Sequence, residues 1–146
     1  MCTRPDTSGY DFSGVAETEL NVSTGFDVVG VECATGYEGA PVASACSTDG
    51  PYSVSGCSAI VCTQPNDITG YTVTNNELNV ATGFDVTPVC DVGYEGTPAV
   101  TACTTAGEYT LTGCSDADEC TEATHTCDTH AVCTNTEGSF LSLIHI

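Results

Sequence analysis

Two ten-residue stretches differ at a single position: Glu-Leu-Asn-Val-Ser-Thr-Gly-Phe-Asp-Val at residues 19–28 and Glu-Leu-Asn-Val-Ala-Thr-Gly-Phe-Asp-Val at residues 77–86. A second pair keeps nearly the same separation, with Gly-Tyr-Glu-Gly-Ala-Pro at residues 36–41 and Gly-Tyr-Glu-Gly-Thr-Pro at residues 93–98. Repetition at a fixed period indicates copies of one structural unit. The sequence therefore predicts two tandem modules, at residues 1–59 and 60–115, joined near residues 58–61.

The cysteines repeat with the same period. The first copy contains Cys2, Cys33, Cys46 and Cys57, and the second contains Cys62, Cys90, Cys103 and Cys114. Each copy therefore has an even and self-sufficient set. Four cysteines allow three pairings, and their spacing does not choose among them.

Apolar residues alternate within each copy instead of recurring every three or four positions. Period-two alternation bounded by Gly, Asn, Asp and Pro predicts short half-buried β-strands. Modules of under about 60 residues bury little apolar surface, so disulfides are expected to supply much of their stability. The alternating residues are Leu20, Val22, Phe26 and Val28, and later Tyr71 and Val73.

The composition argues against nucleic-acid binding and against a membrane span. The 146 residues include 11 cysteines, 20 acidic residues and one basic residue, Arg4, for a net charge of −19. Nucleic acid is excluded as a partner because no basic surface exists to contact phosphates. No apolar run approaches the length of about 18 residues that crosses a bilayer, so we expect no membrane span in this fragment.

The cysteine usage indicates an oxidising compartment, because no Cys-x₂-Cys pair suggests zinc and a cytosolic protein would keep its thiols reduced. We therefore expect an extracellular chain, either secreted or part of the ectodomain of a membrane protein. No apolar segment of a signal peptide follows Met1, so we predict that Met1 is not the true start.

The order of motifs in each copy resembles the sushi, or complement control protein, module. It runs from a first Cys through an early Gly-Tyr, a second Cys, Gly-Tyr-x-Gly and two further Cys, over residues 2–57 and 62–114. Tyr52 and Tyr109 stand where that family usually has Trp, and another small disulfide-linked β repeat is the alternative. The resemblance implies the pairs Cys2–Cys46, Cys33–Cys57, Cys62–Cys103 and Cys90–Cys114.

Residues 116–140 resemble the first part of a calcium-binding EGF-like domain. The motif is Asp-Ala-Asp-Glu-Cys at residues 116–120, Cys127, and Cys-Thr-Asn-Thr-Glu-Gly-Ser-Phe at residues 133–140. Ca²⁺ prefers six to eight oxygen ligands from carboxylates, amides and backbone carbonyls. The resemblance implies Ca²⁺ ligation by side chains of Asp116, Glu119 and Asn135 and by carbonyls of Ala117, Thr136 and Ser139; Asp118 matches the motif but is not assigned as a ligand.

The last six residues depart from that pattern. The family requires Cys two positions after Phe140, where this chain has Ser142. Residues 141–146 can be encoded by a transposon adapter used in DNA libraries, so we predict that they are adapter read-through and have no structural role. With the family's pairing, Cys120–Cys133 forms and Cys127 lacks a partner, so the calcium site of this fragment is expected to be weak.

The candidates for catalysis in the sequence are poor. His125 and His130 are expected to be exposed loop residues, and no Gly-x-Ser-x-Gly motif is present. Asn21-Val22-Ser23 is a glycosylation sequon, so Asn21 is a predicted glycosylation site. We therefore expect no enzymatic activity from this chain.

The sequence thus predicts a small disulfide-rich all-β protein, with two sushi-like modules and a partial EGF-like unit arranged as elongated beads on a string. The predicted function is non-catalytic binding or adhesion within an extracellular mosaic protein, toward a protein or glycan ligand and with Ca²⁺ as cofactor. Accessory modules of a larger secreted enzyme such as a protease, or an acidic extracellular-matrix protein, are the alternatives.

Overall fold

A computed structural model describes residues 1–144, and His145 and Ile146, the end of the predicted adapter-derived tail, lie outside the described residues. The described chain consists of short strands and one single-turn helix, which confirms the predicted small disulfide-rich all-β class. The elements are β1 (Cys2–Thr3), β2 (Tyr10–Asp11), β3 (Ala16–Glu19), β4 (Asp27–Val29), β5 (Glu32–Cys33), β6 (Tyr37–Ser44), β7 (Gly50–Pro51), β8 (Ser53–Ala59), β9 (Cys62–Thr63), β10 (Tyr71–Glu77), β11 (Asp85–Cys90), β12 (Tyr94–Thr101), β13 (Gly107–Glu108), β14 (Thr110–Asp116), α1 (Glu119–Glu122), β15 (Ala131–Thr136) and β16 (Ser139–Ile144).

The strands pair two by two over residues 1–144. A two-stranded sheet buries little apolar surface and is marginally stable by itself, so covalent links have a large role in this fold. β1 and β7 are parallel, whereas β6–β8, β12–β14 and β15–β16 are antiparallel hairpins. The pairs are β1–β7, β2–β5, β3–β4, β6–β8, β9–β13, β10–β11, β12–β14 and β15–β16.

The longest hairpin of each repeat has the same register and the same irregularity. Gly39 pairs with Cys57 in β6–β8, and Gly96 pairs with Cys114 in β12–β14. A Cβ added to Gly39, whose φ is +136°, would lie 1.9 Å from the carbonyl oxygen of Gly56. A side chain there would clash with the backbone, so this close approach explains the last glycine of the repeated Gly-Tyr-x-Gly motif.

Residues 20–26 correct one prediction. Leu20, Val22 and Phe26 were expected in strands, but β3 ends at Glu19 and β4 begins at Asp27. Between them the amides of Thr24 and Gly25 donate to the carbonyl of Asn21. The Asn21 side chain also accepts from the amide of Ser23 at 3.1 Å. Asn thus stabilises a turn through local hydrogen bonds, which outweighs the alternating apolar pattern.

The buried core of each repeat is built on one cysteine and one tyrosine. Tyr52 packs edge-on against Phe26 with ring centroids 5.6 Å apart, and against Phe12 at 6.4 Å. Tyr52 and Tyr109, at which the sushi resemblance leads one to expect Trp, are core residues that are 1% and 2% exposed. The largest fully buried side chains among the described residues are Tyr52, Tyr109, Cys2 and Cys62.

Disulfides link the strands of each repeat. The pairs have the connectivity that the resemblance implies, first to third and second to fourth. Within residues 1–144, Cys127 is the cysteine without a disulfide. The disulfides are Cys2–Cys46, Cys33–Cys57, Cys62–Cys103, Cys90–Cys114 and Cys120–Cys133.

Residue contacts divide the chain into two compact units. The first comprises Met1–Cys62, Glu77–Phe84 and Cys103–Gly107. The second comprises Thr63–Asn76, Asp85–Ala102 and the described chain from Glu108 onward. The module boundaries at residues 59/60 and 115/116 stay predictions. No helix within the described residues has the length and apolar character needed to span a membrane.

Candidate metal centre

Three polar side chains selected from the sequence come from successive elements of the second unit. Asp116 is the last residue of β14, Glu119 is the first residue of α1, and Asn135 lies near the end of β15. The β15–β16 hairpin then reverses between Thr136 and Ser139, which face each other in the ladder. The fold thus brings together the end of one strand, a helical turn and a hairpin end.

Asp116 connects these elements through its carboxylate. Its Oδ2 accepts a hydrogen bond from Nδ2 of Asn135 at 2.8 Å. Its Oδ1 accepts one from the backbone amide of Gly138, in the hairpin turn. Hydrogen bonds to a carboxylate are among the stronger ones in proteins, so Asp116 orients both Asn135 and the turn.

Two side-chain oxygen atoms of the predicted ligands are buried and have no hydrogen-bond partner among residues 1–144. They are Oε2 of Glu119 and Oδ1 of Asn135. A buried polar atom without a partner costs about 1–3 kcal/mol, and more when it is charged. A hard cation removes that cost because it binds carboxylate and amide oxygens. Both atoms belong to residues predicted as calcium ligands, so the residues present fit Ca²⁺.

The predicted carbonyl ligands lie directly after β14 and at the two sides of the β15–β16 turn. Ala117 follows Asp116 directly, and its amide donates to the carbonyl of Gly93 at 2.9 Å. The carbonyl of Ser139 accepts from the hydroxyl of Thr136 at 2.9 Å. The predicted carbonyl ligands therefore lie next to Asp116 in the sequence and at the β15–β16 turn.

Asp118 has a separate structural role. It is the N-cap of α1, and its Oδ1 accepts from the amide of Thr121 at 2.9 Å. Hydrogen bonds from the Thr121 side chain and amide lower the pKa of Asp118. Its carboxylate therefore caps the N-terminus of α1.

Residues 116–141 match the family model of the calcium-binding EGF domain. Domains of that family are non-catalytic and typical of extracellular proteins, and the match suggests that this segment binds Ca²⁺. The match covers the three side chains and the carbonyls described above. No curated protein and no solved structure shows a significant match to the chain.

Sequence reasoning missed an aromatic contact beside the EGF domain. A Cβ added to Gly138 would lie 2.9 Å from Cε2 of Tyr94, so this ring packs directly on the hairpin turn. Burial, followed by the charges of Glu137 and Asp116, raises the pKa of Tyr94. The signal was present in the sequence, because Tyr94 belongs to the repeated Gly-Tyr-Glu-Gly motif.

The structure corrects the expectation that the apolar tail has no structural role. Up to Ile144 the tail continues β16 and pairs with β15. Ser142, at the position where the family has cysteine, faces Cys133 in this ladder. Leu141, Leu143 and Ile144 are 52%, 52% and 62% exposed, so the pairing buries little apolar surface. The adapter origin of residues 141–146 stays a prediction.

The two histidines differ in their surroundings. His130 is exposed as expected, and its ring lies 3.1 Å from Oδ1 of Asp128. His125 is half-buried instead, because its ring packs near Phe140 at a centroid distance of 6.0 Å. Ligand atoms of His125, Cys127 and Cys133 lie within 4.8 Å of one another. Cys133 is in a disulfide and supplies no thiolate, so this cluster does not form a metal site as it stands.

Proposed function

We propose that the chain is a non-catalytic binding fragment of an extracellular mosaic protein, and that its EGF domain binds one Ca²⁺ ion. The single observation that carries the proposal is the pair of buried, unpartnered oxygens of Glu119 and Asn135 in the matched segment. Asp116 and the carbonyls of Ala117, Thr136 and Ser139 complete the proposed ligand set. Bound Ca²⁺ would link the β14 end to the β15–β16 turn through these residues.

The two repeats are proposed to be sushi-like modules, at residues 1–59 and 60–115, that present surfaces for a protein or glycan ligand. Their equal disulfide connectivity and equal hairpin registers support this assignment. Disulfide-braced β modules without a nucleophile and base are suited to binding, and an adhesive role is part of the proposal. An extracellular location follows from the same features, and Asn21 stays a predicted glycosylation site.

An acidic matrix protein is the second candidate, and the net charge of −19 favours it. The two functions differ in how calcium binds. A diffuse acidic surface binds many ions weakly, whereas the EGF domain has one site. Accessory modules of a secreted enzyme would share the single site and differ only in the rest of the polypeptide.

Calorimetric titration of the 146-residue chain with Ca²⁺ tests the proposal. We expect one site per chain, with a Kd at or above about 10⁻⁴–10⁻³ M, the range of extracellular modules. Asn135→Ala should weaken binding about tenfold or more, because it removes an oxygen ligand and also the hydrogen bond from Asn135 to Oδ2 of Asp116. Asn76→Ala is the matched control, since Asn76 is exposed and lies in β10.

The outcomes separate the candidates. Loss of affinity in Asn135→Ala alone supports the EGF site. Multiple weak sites that are unaffected by Asn135→Ala would support the acidic matrix protein and contradict the single site. Equal losses in Asn135→Ala and Asn76→Ala would also contradict it, because only the first residue is in the ligand set.

A further inference from the structure

The repeated Gly-Tyr motif makes a close backbone contact in each copy. In the first unit, this contact joins the first repeat to a turn of the second repeat. We call Gly36–Tyr37 and its counterpart Gly93–Tyr94 the Gly-Tyr corners. A Cβ added to Gly36 would lie 2.6 Å from Cα of Ala81, so the backbone of residues 79–83 sits directly on the first corner. We call residues 79–83 the docked turn.

Backbone hydrogen bonds fix the docked turn at that corner. The amide of Ile60 donates to the carbonyl of Gly36 at 2.8 Å. The carbonyl of Ile60 in turn accepts from the amide of Val80 at 2.9 Å. Val61 and Asn79 also form an antiparallel bridge. The linker residue Ile60 thus connects the first corner to the docked turn, and it is 7% exposed.

The second corner, in the second unit, is covered in the same way. The amide of Ala117, 57 residues after Ile60, donates to the carbonyl of Gly93 at 2.9 Å. A Cβ added to Gly93 would lie 2.1 Å from the carbonyl oxygen of Gly138. Each Gly-Tyr corner therefore receives a backbone turn from the sequence that follows its repeat.

The first repeat contains a turn of nearly the same sequence that nothing in its own unit covers. Residues 21–25 read Asn-Val-Ser-Thr-Gly, and the docked turn reads Asn-Val-Ala-Thr-Gly. Val22 is 51% exposed and Ser23 is exposed, whereas Val80 and Ala81 are half-buried. We call residues 21–25 the free turn. Its sequence is that of a docking element, but its apolar residue faces solvent.

We propose that the free turn is the docking surface for the Gly-Tyr corner of a further repeat of this type, joined on the N-terminal side of Cys2. Both corners of this chain are already covered, so a second copy of the same chain offers no open corner. An additional repeat, with its own Gly-Tyr corner and a short linker like residues 58–61, has the required chemistry. This interface deepens the proposed mosaic architecture but is independent of the calcium site, so either can fail alone.

The test adds the missing corner to the full chain. A duplicate of residues 1–61 is fused directly before Cys2, which reproduces the native junction between Val61 and Cys62. Hydrogen exchange is then measured at the amide of the original Val22, the one in the copy that follows the added repeat. The same amide is measured in the 146-residue chain. We expect its exchange to slow about tenfold or more in the fusion, toward the rate of the Val80 amide, because the added Ile60 carbonyl accepts it.

Two variants of the fusion serve as controls. Gly36→Val in the added copy alone places a side chain where the turn backbone must pass, so the slower exchange of Val22 should be lost. Ser23→Leu in the recipient turn blocks the same contact without touching the added copy. If Gly36→Val prevents the added copy from folding, which a missing Cys33–Cys57 link would reveal, Ser23→Leu still decides the question.

Three results would overturn the proposal. The first is equal exchange of the Val22 amide in the fusion and in the original chain while the Val80 amide stays protected. The second is slower exchange that persists in Ser23→Leu. The third is a secreted fusion glycosylated at Asn21 whose free turn still exchanges rapidly, since the turn would then carry a glycan in place of a corner.

Discussion

Arg4, Glu17 and Tyr52 form a charged hydrogen-bonded cluster in the first repeat. The guanidinium of Arg4 donates to both carboxylate oxygens of Glu17, at 2.9 and 3.0 Å. The hydroxyl of Tyr52 donates to the same carboxylate at 2.9 Å. The hydrogen bond from Arg4 lowers the pKa of Glu17. Burial, followed by the hydrogen bond to Glu17, raises the pKa of Tyr52 to about 12.

The second repeat has a neutral counterpart of this cluster. Nδ2 of Asn75 donates to Oε1 of Gln64 at 2.9 Å, and the hydroxyl of Tyr109 donates to Oδ1 of Asn75 at 2.9 Å. Within each repeat, the hydrogen bonds join the same three corresponding positions. The side chains at two of these positions are charged in the first repeat and neutral in the second. Gln64 and Asn75 stand where the first repeat has Arg4 and Glu17, and both versions give the buried tyrosine hydroxyl an acceptor.

The charged cluster predicts a pH-dependent stability that its neutral counterpart lacks. The folded-state pKa of Glu17 lies below its ordinary value of 4.5, so the stabilisation is present above that pH and is lost as pH falls through the folded pKa. Arg4→Gln/Glu17→Asn should therefore lose less thermal stability than the unaltered chain when pH falls from neutral to about 3. Scanning calorimetry at both pH values measures the difference.

The reciprocal variant is the control for that experiment. Gln64→Arg/Asn75→Glu transfers the charged cluster to the second repeat and should increase the loss of stability at low pH. An identical loss in all three chains would show that the clusters do not contribute to the acid sensitivity. The other carboxylates are unchanged in each chain, so their contributions cancel in the comparison.

At the scale of elements, the docked and free turns provide a matched comparison. Ala81→Leu should lower the free energy of unfolding by about 1–3 kcal/mol, because the added side chain has no room against Gly36. Ser23→Leu occupies the corresponding position of the exposed free turn and should change it by no more than about 0.5 kcal/mol. Urea denaturation followed by circular dichroism measures both changes.

Equal effects of the two Leu substitutions would contradict the docking of residues 79–83. If Ala81→Gly lowers the free energy of unfolding less than Ala81→Leu does, the effect is due to the volume of the Leu side chain. All these variants keep Asn21 and Asn79, so the backbone amides at positions 23 and 81 can still donate to those side chains. Ser23→Leu removes only the hydrogen bond from the Ser23 hydroxyl to Asn21 Oδ1.

The elements also show where sequence patterns succeed and where they fail. The alternation of Tyr71 and Val73 correctly predicts β10. The same pattern fails at Leu20 and Val22, because the Asn21 side chain and carbonyl stabilise a turn there. The single-turn α1 was not predicted either, since its N-cap bond from Thr121 to Asp118 needs no apolar stripe.

At the scale of the whole molecule, the disulfide connectivity is the first property to test. Non-reducing peptide mapping of secreted material should link Cys33 to Cys57 and Cys90 to Cys114, as the structure has them. Each of these links closes a loop of 24 residues in sequence separation, and loop entropy assigns it a stabilisation of about 3–4 kcal/mol. A link between consecutive cysteines, such as Cys46 to Cys57, would contradict the sushi-like assignment.

The net charge of −19 predicts a second property of the whole chain. Like charges repel in the folded state, and salt screens this repulsion. Thermal unfolding in a calcium chelator should therefore shift upward by about 2–4 °C when NaCl is raised from low to physiological concentration. The chelator keeps the EGF site from contributing, and a transition temperature that falls with added NaCl would contradict dominant self-repulsion.

The repeat, the all-β class, the acidic charge and the EGF-like segment can all be predicted from the linear sequence. These properties depend on composition and on motifs in continuous stretches of sequence, so they can be identified without knowing the tertiary contacts. Tertiary structure alone decided which groups meet: the clusters around Tyr52 and Tyr109, the unpartnered oxygens of Glu119 and Asn135, and the turn on Gly36. Tyr52 and Glu17 are 35 residues apart in the sequence, and Tyr109 and Asn75 are 34 apart. Their approach depends on strand register and disulfides rather than on any local pattern.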